Sequence, residues 1–291
     1  MDNLFFNPKL GLNYKFNPNF SGFFSLARVS REPRLKNYYD AAESSAGEVP
    51  QFEVDANGNY DFSNPLVQPE SLTDFELGIT YNISDLSLNA NLFYMMFNDE
   101  IVKQGQVDRF GQPITGNMEK TIHAGLEFSG AYKFMKHFEI ILNGAYSNNY
   151  INEGREYLSE TEYIDLKNNS ISGFPDVTFN GILKFNYSGL FAQFAVKYVG
   201  RFFSDNYDDN LTSYLEQYPG FIDYSDNEVE AYLVSNFYLS YEFDLEPYFK
   251  YVKVYGQVNN IFDNLYASYA IGKEFFPGAE RYVFAGLKIG L

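Results

Sequence analysis

The sequence holds no cysteine and no tryptophan, and only two histidines in 291 residues. Without cysteine there is neither a disulfide nor a thiolate metal site, although the compartment stays open. His123 and His137 cannot build a zinc centre alone. No run of 18 apolar residues occurs, which excludes a transmembrane helix. Excess positive charge is also lacking: the formal net charge is −17, which argues against nucleic acid and against binding to anionic lipid through basic patches. The first residues, MDNLFFNPKLGLNYKF, have neither a basic n-region nor an apolar h-region, so they are not read as a signal peptide. No Gly-rich phosphate loop follows a strand, and HExxH and GxSxG are missing. The chain is not read as an enzyme, no metal site is expected, and no cofactor is implied.

What is present is apolar and aromatic. Hydrophobic residues make up 45%, enough to exclude disorder, and the 30 Phe and 26 Tyr far exceed the needs of a soluble core. Amphipathic Tyr is at home where a membrane meets water. In LSLNANLFYMMFND, residues 86–99, every second residue from Leu86 to Leu92 is apolar while Ser87, Asn89 and Asn91 sit between them. Period two places these sets on opposite faces of an extended strand. A soluble sandwich and a membrane barrel both show that pattern.

The wider arrangement separates the two. Strand-like segments pair as 8–16 with 20–29, 72–83 with 86–97, 120–134 with 138–149, 177–187 with 190–201, and 231–243 with 249–261. A last strand covers 280–291. Tight turns such as Asn17-Pro18-Asn19, Ser84-Asp85 and Ser188-Gly189 join each pair. The links between pairs, 30–71, 98–119, 150–176, 202–230 and 262–279, are long and rich in Asn, Asp, Gly and Pro. Eleven strands of about ten to thirteen residues, with short turns at one end and long loops at the other, describe an antiparallel transmembrane β-barrel. The register then puts Phe75, Leu77, Ile79, Tyr81; Ile122, Ala124, Leu126, Phe128; Phe138, Ile140, Leu142; and Val177, Phe179, Leu183, Phe185, Tyr187 toward lipid. Glu76, Thr80, His123, Glu127, Glu139, Asn143, Asn180 and Lys184 face the lumen, and Tyr94 approaches an interface.

Four stretches carry a resemblance. LARVSREPRLKNYY (26–39) has an Arg-Glu-Pro before a long loop. NPLVQPESLTDFELGITY (64–81) has a Pro-Glu element, Pro69 and Glu70, followed by Glu76 and Gly78. VYGQVNNIFDNLY (254–266) carries Asn260, Phe262, Asp263 and Tyr266, with Ile261 in a Leu position. PGAERYVFAGLKIGL closes the chain with Pro277, Gly278 and Arg281. Together they resemble the carboxy-terminal barrel of TonB-dependent outer-membrane receptors, especially those of Bacteroidetes-like bacteria. The sequence departs from that pattern in the Ala279-Glu280 pair before Arg281 and in ending on Leu291 instead of Phe. Gly286, Ile289 and Leu291 still match the spacing of the assembly signal, although Phe284 takes its polar position.

The resemblance implies a bacterial outer-membrane location and a 22-stranded barrel closed around an amino-terminal plug, of which residues 1–291 are the carboxy-terminal half. Plug, TonB box and signal peptide would lie outside them. It also implies energised uptake of a scarce, bulky nutrient, with a ferric siderophore as the default ligand and cobalamin, glycans and peptides as alternatives. The implied partners are the lipid bilayer, the amino-terminal half with its plug, the TonB complex acting through that half, the barrel assembly machinery and a small-molecule or metal-chelate ligand. A complete small diffusion channel of about twelve strands and a soluble glycan-binding β protein are the competing readings. Gln193, Lys197 and Arg201 on one strand, with Tyr255, Gln257 and Asn259 on another, are candidates for the ligand path or for holding the plug. The signature residues are expected to be structural. The 202–230 loop, with Asp205, Asp208, Asp209, Glu216, Asp223, Asp226, Glu228 and Glu230 and no Lys or Arg, is expected to be a solvated, self-repelling surface loop. It lacks the DxDxDG spacing of a calcium loop.

Overall fold

The structure, a computed structural model, describes residues 4–40, 49–107, 112–158 and 161–290. Leu291 lies outside the described residues. One antiparallel sheet contains eleven strands in strict sequence order: β1 (Lys9–Asn17), β2 (Phe20–Arg31), β3 (Glu70–Ile83), β4 (Leu86–Val107), β5 (Pro113–Phe134), β6 (Phe138–Glu153), β7 (Val177–Tyr187), β8 (Leu190–Val199), β9 (Tyr232–Leu245), β10 (Phe249–Asn259) and β11 (Tyr282–Gly290). Every neighbour is the next strand in the chain, and the tight hairpins are closed by turns of two or three residues. Among the described residues β1 and β11 pair on one side only, so the sheet is open at two edges.

Register fixes the faces, because directly paired residues share one. Leu88 of β4 pairs with Tyr81 and Gly130, Leu92 with Leu77 and Leu126, and Leu183 of β7 with Ile140 and Phe194. Followed across all eleven strands, this row system yields one unbroken apolar face that is open to its surroundings: Leu12 is 61% exposed, Leu77 56%, Leu92 53% and Leu287 61%. So much contiguous exposed Leu, Ile, Phe and Tyr would associate in water. Hydrocarbon is its natural solvent.

Glycines make room on both faces. On the inner face Phe23 lies over Gly78, Phe93 over Gly125, Tyr255 over Gly286 and Tyr251 over Gly290, each pair directly opposite in register. A Cβ at Gly78 would stand 2.1 Å from the Phe23 ring, and one at Gly286 2.3 Å from that of Tyr255. The missing side chain lets each ring settle against the backbone of its partner strand.

Three expectations are corrected. The 98–119 link is mostly not a loop: β4 and β5 stay paired from Leu86↔Tyr132 out to Val107↔Pro113, with irregularities beside Asp99 (φ 53°) and Gly105 (φ 72°). Polar residues at this level stand clear of lipid, so composition hid the strand. β8 also stops at Val199, which leaves Arg201 beyond the wall.

The buried core sits where the long loops pack on the outer ends of β4, β5 and β6. Val102, Met118, Ile151, Ile164, Leu166, Ile171, Tyr207 and Leu211 cluster there, and Leu215, Phe221 and Ile222 of the 202–230 loop pack against them. This loop therefore folds, against the expectation of a solvated, self-repelling segment. Phe202 pairs with Val229 and Phe203 with Glu228, and Leu211–Gln217 is helical.

Candidate functional site

The inner face of the sheet carries a polar row at one level of the wall: Lys15, Ser21, Thr80, Asn89, Ser129, Asn143, Asn180 and Lys197 are neighbours in register from β1 to β8. Thr80 Oγ1 donates to Asn89 Oδ1 (2.9 Å), Asn89 Nδ2 to Ser129 Oγ (3.3 Å) and Asn180 Nδ2 to Asn143 Oδ1 (3.0 Å). Next to the short turns, Lys184 pairs with Glu139 at 3.1 Å. Above the row, Asp74 Oδ1 and Asn91 Oδ1 are buried without a hydrogen-bond partner. Such oxygens are costly unless something supplies donors.

Of the six candidate path residues, five line this wall. Gln193 lies opposite Lys184 and Tyr238, Lys197 opposite Asn180 and Val234, Tyr255 opposite Ser240 and Gly286, and Gln257 opposite Tyr238 and Phe284. Asn259 accepts from Gln257 Nε2 at 2.7 Å. Arg201 is elsewhere, held in the outer loops by Asp209 through two bonds of 2.9 and 3.0 Å and by Glu228 at 3.1 Å. A bidentate carboxylate matches the guanidinium fork and fixes its direction.

His123 also belongs to the wall. It is 6% exposed, with Nδ1 2.8 Å from Asn149 Oδ1 and Nε2 3.1 Å from Glu100 Oε2. Glu100 also accepts from Thr121 Oγ1. His137 lies by a short turn, with Nδ1 3.0 Å from the Asn186 carbonyl.

The signature residues tie strand ends together. Arg31 meets Glu70 at 2.9 Å, and Glu70 also accepts from the Ile101 amide (3.2 Å), joining the Arg-Glu-Pro and Pro-Glu stretches. Pro69 leads into β3, Glu76 faces the lumen opposite Ser25 and Phe93, and Gly78 receives Phe23. At the far end Asn260 (φ 50°) donates to the carbonyls of Asn264 (2.9 Å) and Ala279 (3.1 Å). Asp263 accepts from the Arg281 amide at 2.8 Å, Pro277 pairs with Ala267, and Tyr266 stacks on Tyr232 at 4.5 Å. A Cβ on Gly278 would stand 2.1 Å from the Tyr266 ring. Phe262 is exposed.

The acidic loop is neutralised from within. Asp205 accepts from the Tyr207 amide (2.9 Å), Asn227 Nδ2 (2.8 Å) and Tyr224 OH (3.0 Å). Asp208 accepts from the amides of Ser170 and Asn210, both at 2.9 Å, and Glu156 from Tyr207 OH at 2.6 Å. Apart from Ser170, the donors to Asp205 and Asp208 come from the loop itself and take the place of the cations that residues 202–230 lack. Burial nevertheless holds the carboxyl of Asp205 up at about 6 and raises those of Glu156 and Asp208. The folded loop thus binds protons more tightly than the unfolded one, so its stability falls as pH rises from about 4 through 6. At about 1.4 kcal/mol per tenfold change in proton affinity, ionising Asp205 costs the loop about 3 kcal/mol. Amide exchange of Ser204–Leu211, corrected for intrinsic chemistry, should show greater protection at pH 4.5 than at pH 7.5. Asp205→Asn should flatten that difference.

Comparison with known proteins agrees with this architecture. The family described as TonB dependent receptor-like, beta-barrel, matches residues 2–261. No curated protein sequence matches. Similar solved structures include the siderophore receptor PiuA from Acinetobacter baumannii (TM-score 0.66, 15% identity, 96% of this chain and 35% of that one). The FrpB iron transporter from Neisseria meningitidis (0.64, 16%, 97% and 38%) and the ferric-catecholate import receptor Fiu from E. coli K12 (0.62, 17%, 96% and 34%) align in the same way. The chain thus spans about a third of the length of the structures it resembles. With a family match over most of its residues and the same wall of antiparallel strands, the chain belongs to the TonB-dependent receptor β-barrel family of the bacterial outer membrane.

Proposed function

We propose that these residues form the carboxy-terminal half of the barrel of a TonB-dependent transporter, which takes up a scarce, bulky solute with a ferric siderophore as the default ligand. Members of this family move solutes instead of transforming them. The observation that carries the reading is a lipid-facing sheet of eleven strands with both edges open. Unpaired edges cannot remain in hydrocarbon. Since the number of strands is odd, β1 and β11 run in the same direction. An antiparallel closure therefore needs a partner sheet whose own first and last strands run the opposite way, so it too has an odd number of strands. Eleven more give 22, and a second copy of this chain in the same orientation would meet it only through parallel seams. In this reading the partner sheet and plug come from the amino-terminal half, and the plug brings donors to Asp74, Asn91 and the polar row. The TonB complex energises transport through that half, and the barrel assembly machinery inserts the whole.

The long loops then face outward and the short turns face the periplasm. An epitope inserted after the exposed Gly220 should be labelled on intact cells, and one at Ser84 only after permeabilisation. Labelling at Ser84 on intact cells would invert the topology. For transport itself, cells making the full-length protein should accumulate an iron–tris-catecholate probe only when TonB is present. Equal accumulation without TonB would point to passive diffusion.

A further inference from the structure

Across the last four strands the inner wall changes character, from near the short turn at Phe191 to mid-strand at Tyr238 and Tyr255. Phe191 of β8, Tyr238 of β9, Tyr255 of β10 and Phe284 of β11 form a continuous row of rings with centroid separations of 5.8, 6.1 and 6.0 Å. The planes of Tyr238 and Tyr255 differ by 27° and those of Tyr255 and Phe284 by 37°, while Phe191 meets Tyr238 edge-on at 62° and closes the row. Tyr255 is held against the wall by Gly286, where a Cβ would stand 2.3 Å from its ring. The row is not sealed: Phe284 is 54% exposed and the other three are partly open. Amides flank it. Gln193 and Gln257 lie on either side of Tyr238 in register, and a hollow lined by Phe191, Gln193, Asn236, Tyr238, Lys253 and Gln257 opens beside the rings. Between Phe191 and Tyr255, Ser240 is 2% exposed and its hydroxyl has no hydrogen-bond partner.

Packing against lipid does not explain these rings, because they point away from it. Flat apolar faces bordered by side-chain amides and an unspent hydroxyl suit a solute whose own rings are flat and edged with hydroxyls. We propose that the Phe191–Tyr238–Tyr255–Phe284 row is a stacking platform part-way along the inner wall of the lumen for solutes bearing flat, hydroxyl-edged rings. Catechol rings of a metal chelate and pyranose rings of a saccharide share this chemistry. The inference rests on the reading that a solute crosses this lumen.

The test uses the full-length protein in cells, with an iron–tris-catecholate and a labelled neutral hexasaccharide as separate probes. A Tyr238→Ala/Tyr255→Ala double variant, normalised to the amount of protein in the outer membrane, should lower the maximal TonB-dependent uptake rate of one probe at least fivefold. KM should stay unchanged, since outer binding is untouched, and Tyr238→Phe/Tyr255→Phe should restore the rate. The probe that responds identifies the ring source. An unchanged uptake rate in the Ala variant overturns the platform. So does an equal loss in the Phe variant, or increased vancomycin entry with uptake intact, which would make the row a seat for the plug. Wild-type cells that take up neither probe sink the transport reading and the platform with it.

Discussion

Leu88→Arg in the full-length protein should cost about 2–4 kcal/mol of folding stability, whereas Asn89→Arg, one residue further on, should cost at most about 1 kcal/mol. Leu88 is on the apolar face, 45% exposed, between Tyr81 and Gly130, and its Cδ2 covers the space a Cβ on Gly130 would need. A guanidinium there must enter hydrocarbon or force lipid headgroups and water inward. Asn89 points the other way, into the polar row, where Arg would lose the bonds with Thr80 and Ser129 but remain among polar groups. Refolding yield in lipid, measured against urea for both variants, reports the difference. Equal damage at the two positions would contradict the assignment of faces on which the whole account rests.

The wall was legible in the sequence because its physics is local. Alternation with period two, short turns and strand length are enough to place the hairpins, the lipid-facing residues and nine of the eleven strands to within a few residues. β4 and β5 were found but cut short. Their outer ends, Glu100 to Val107 and Pro113 to Glu119, leave the membrane, so neither face needs to be apolar and the alternation that marks a barrel strand stops. The folded loops were less legible for a related reason. Asp205 can be buried only because Asn227 and Tyr224 arrive with donors, and Asn206 Nδ2 reaches the carbonyl of Lys103, 103 residues earlier. Nothing in a window of acidic residues announces partners so distant. Arg201 was assigned to the wall because strand spacing extrapolates smoothly past Val199, whereas the chain turns there to meet Asp209 and Glu228. The aromatic–glycine pairs could have been read once the register was known, since Phe23 and Gly78, or Tyr255 and Gly286, become neighbours only across strands.

The other large effect concerns the open edges. Backbone amides and carbonyls along the free sides of β1 and β11 would face hydrocarbon unpaired if the sheet stood alone, at several kcal/mol for each group. The same two strands run in parallel directions, so bending the sheet round to join its own edges would make an eleven-stranded barrel closed by a parallel seam, whereas single-chain bacterial outer-membrane barrels have an even number of antiparallel strands. Neither state competes with pairing to a second sheet. Residues 1–291 given a signal peptide should therefore aggregate or be degraded, while the same residues joined to an amino-terminal half with its plug should fold. The most direct measurement is heat-modifiable electrophoretic migration of residues 1–291, purified from outer membranes, combined with single-channel conductance in a planar bilayer. The account predicts no heat-modifiable monomer and no conductance from these residues alone, with both the mobility shift and a closed, plugged barrel returning in the full-length protein. A stable, conducting monomer formed by residues 1–291 would contradict it.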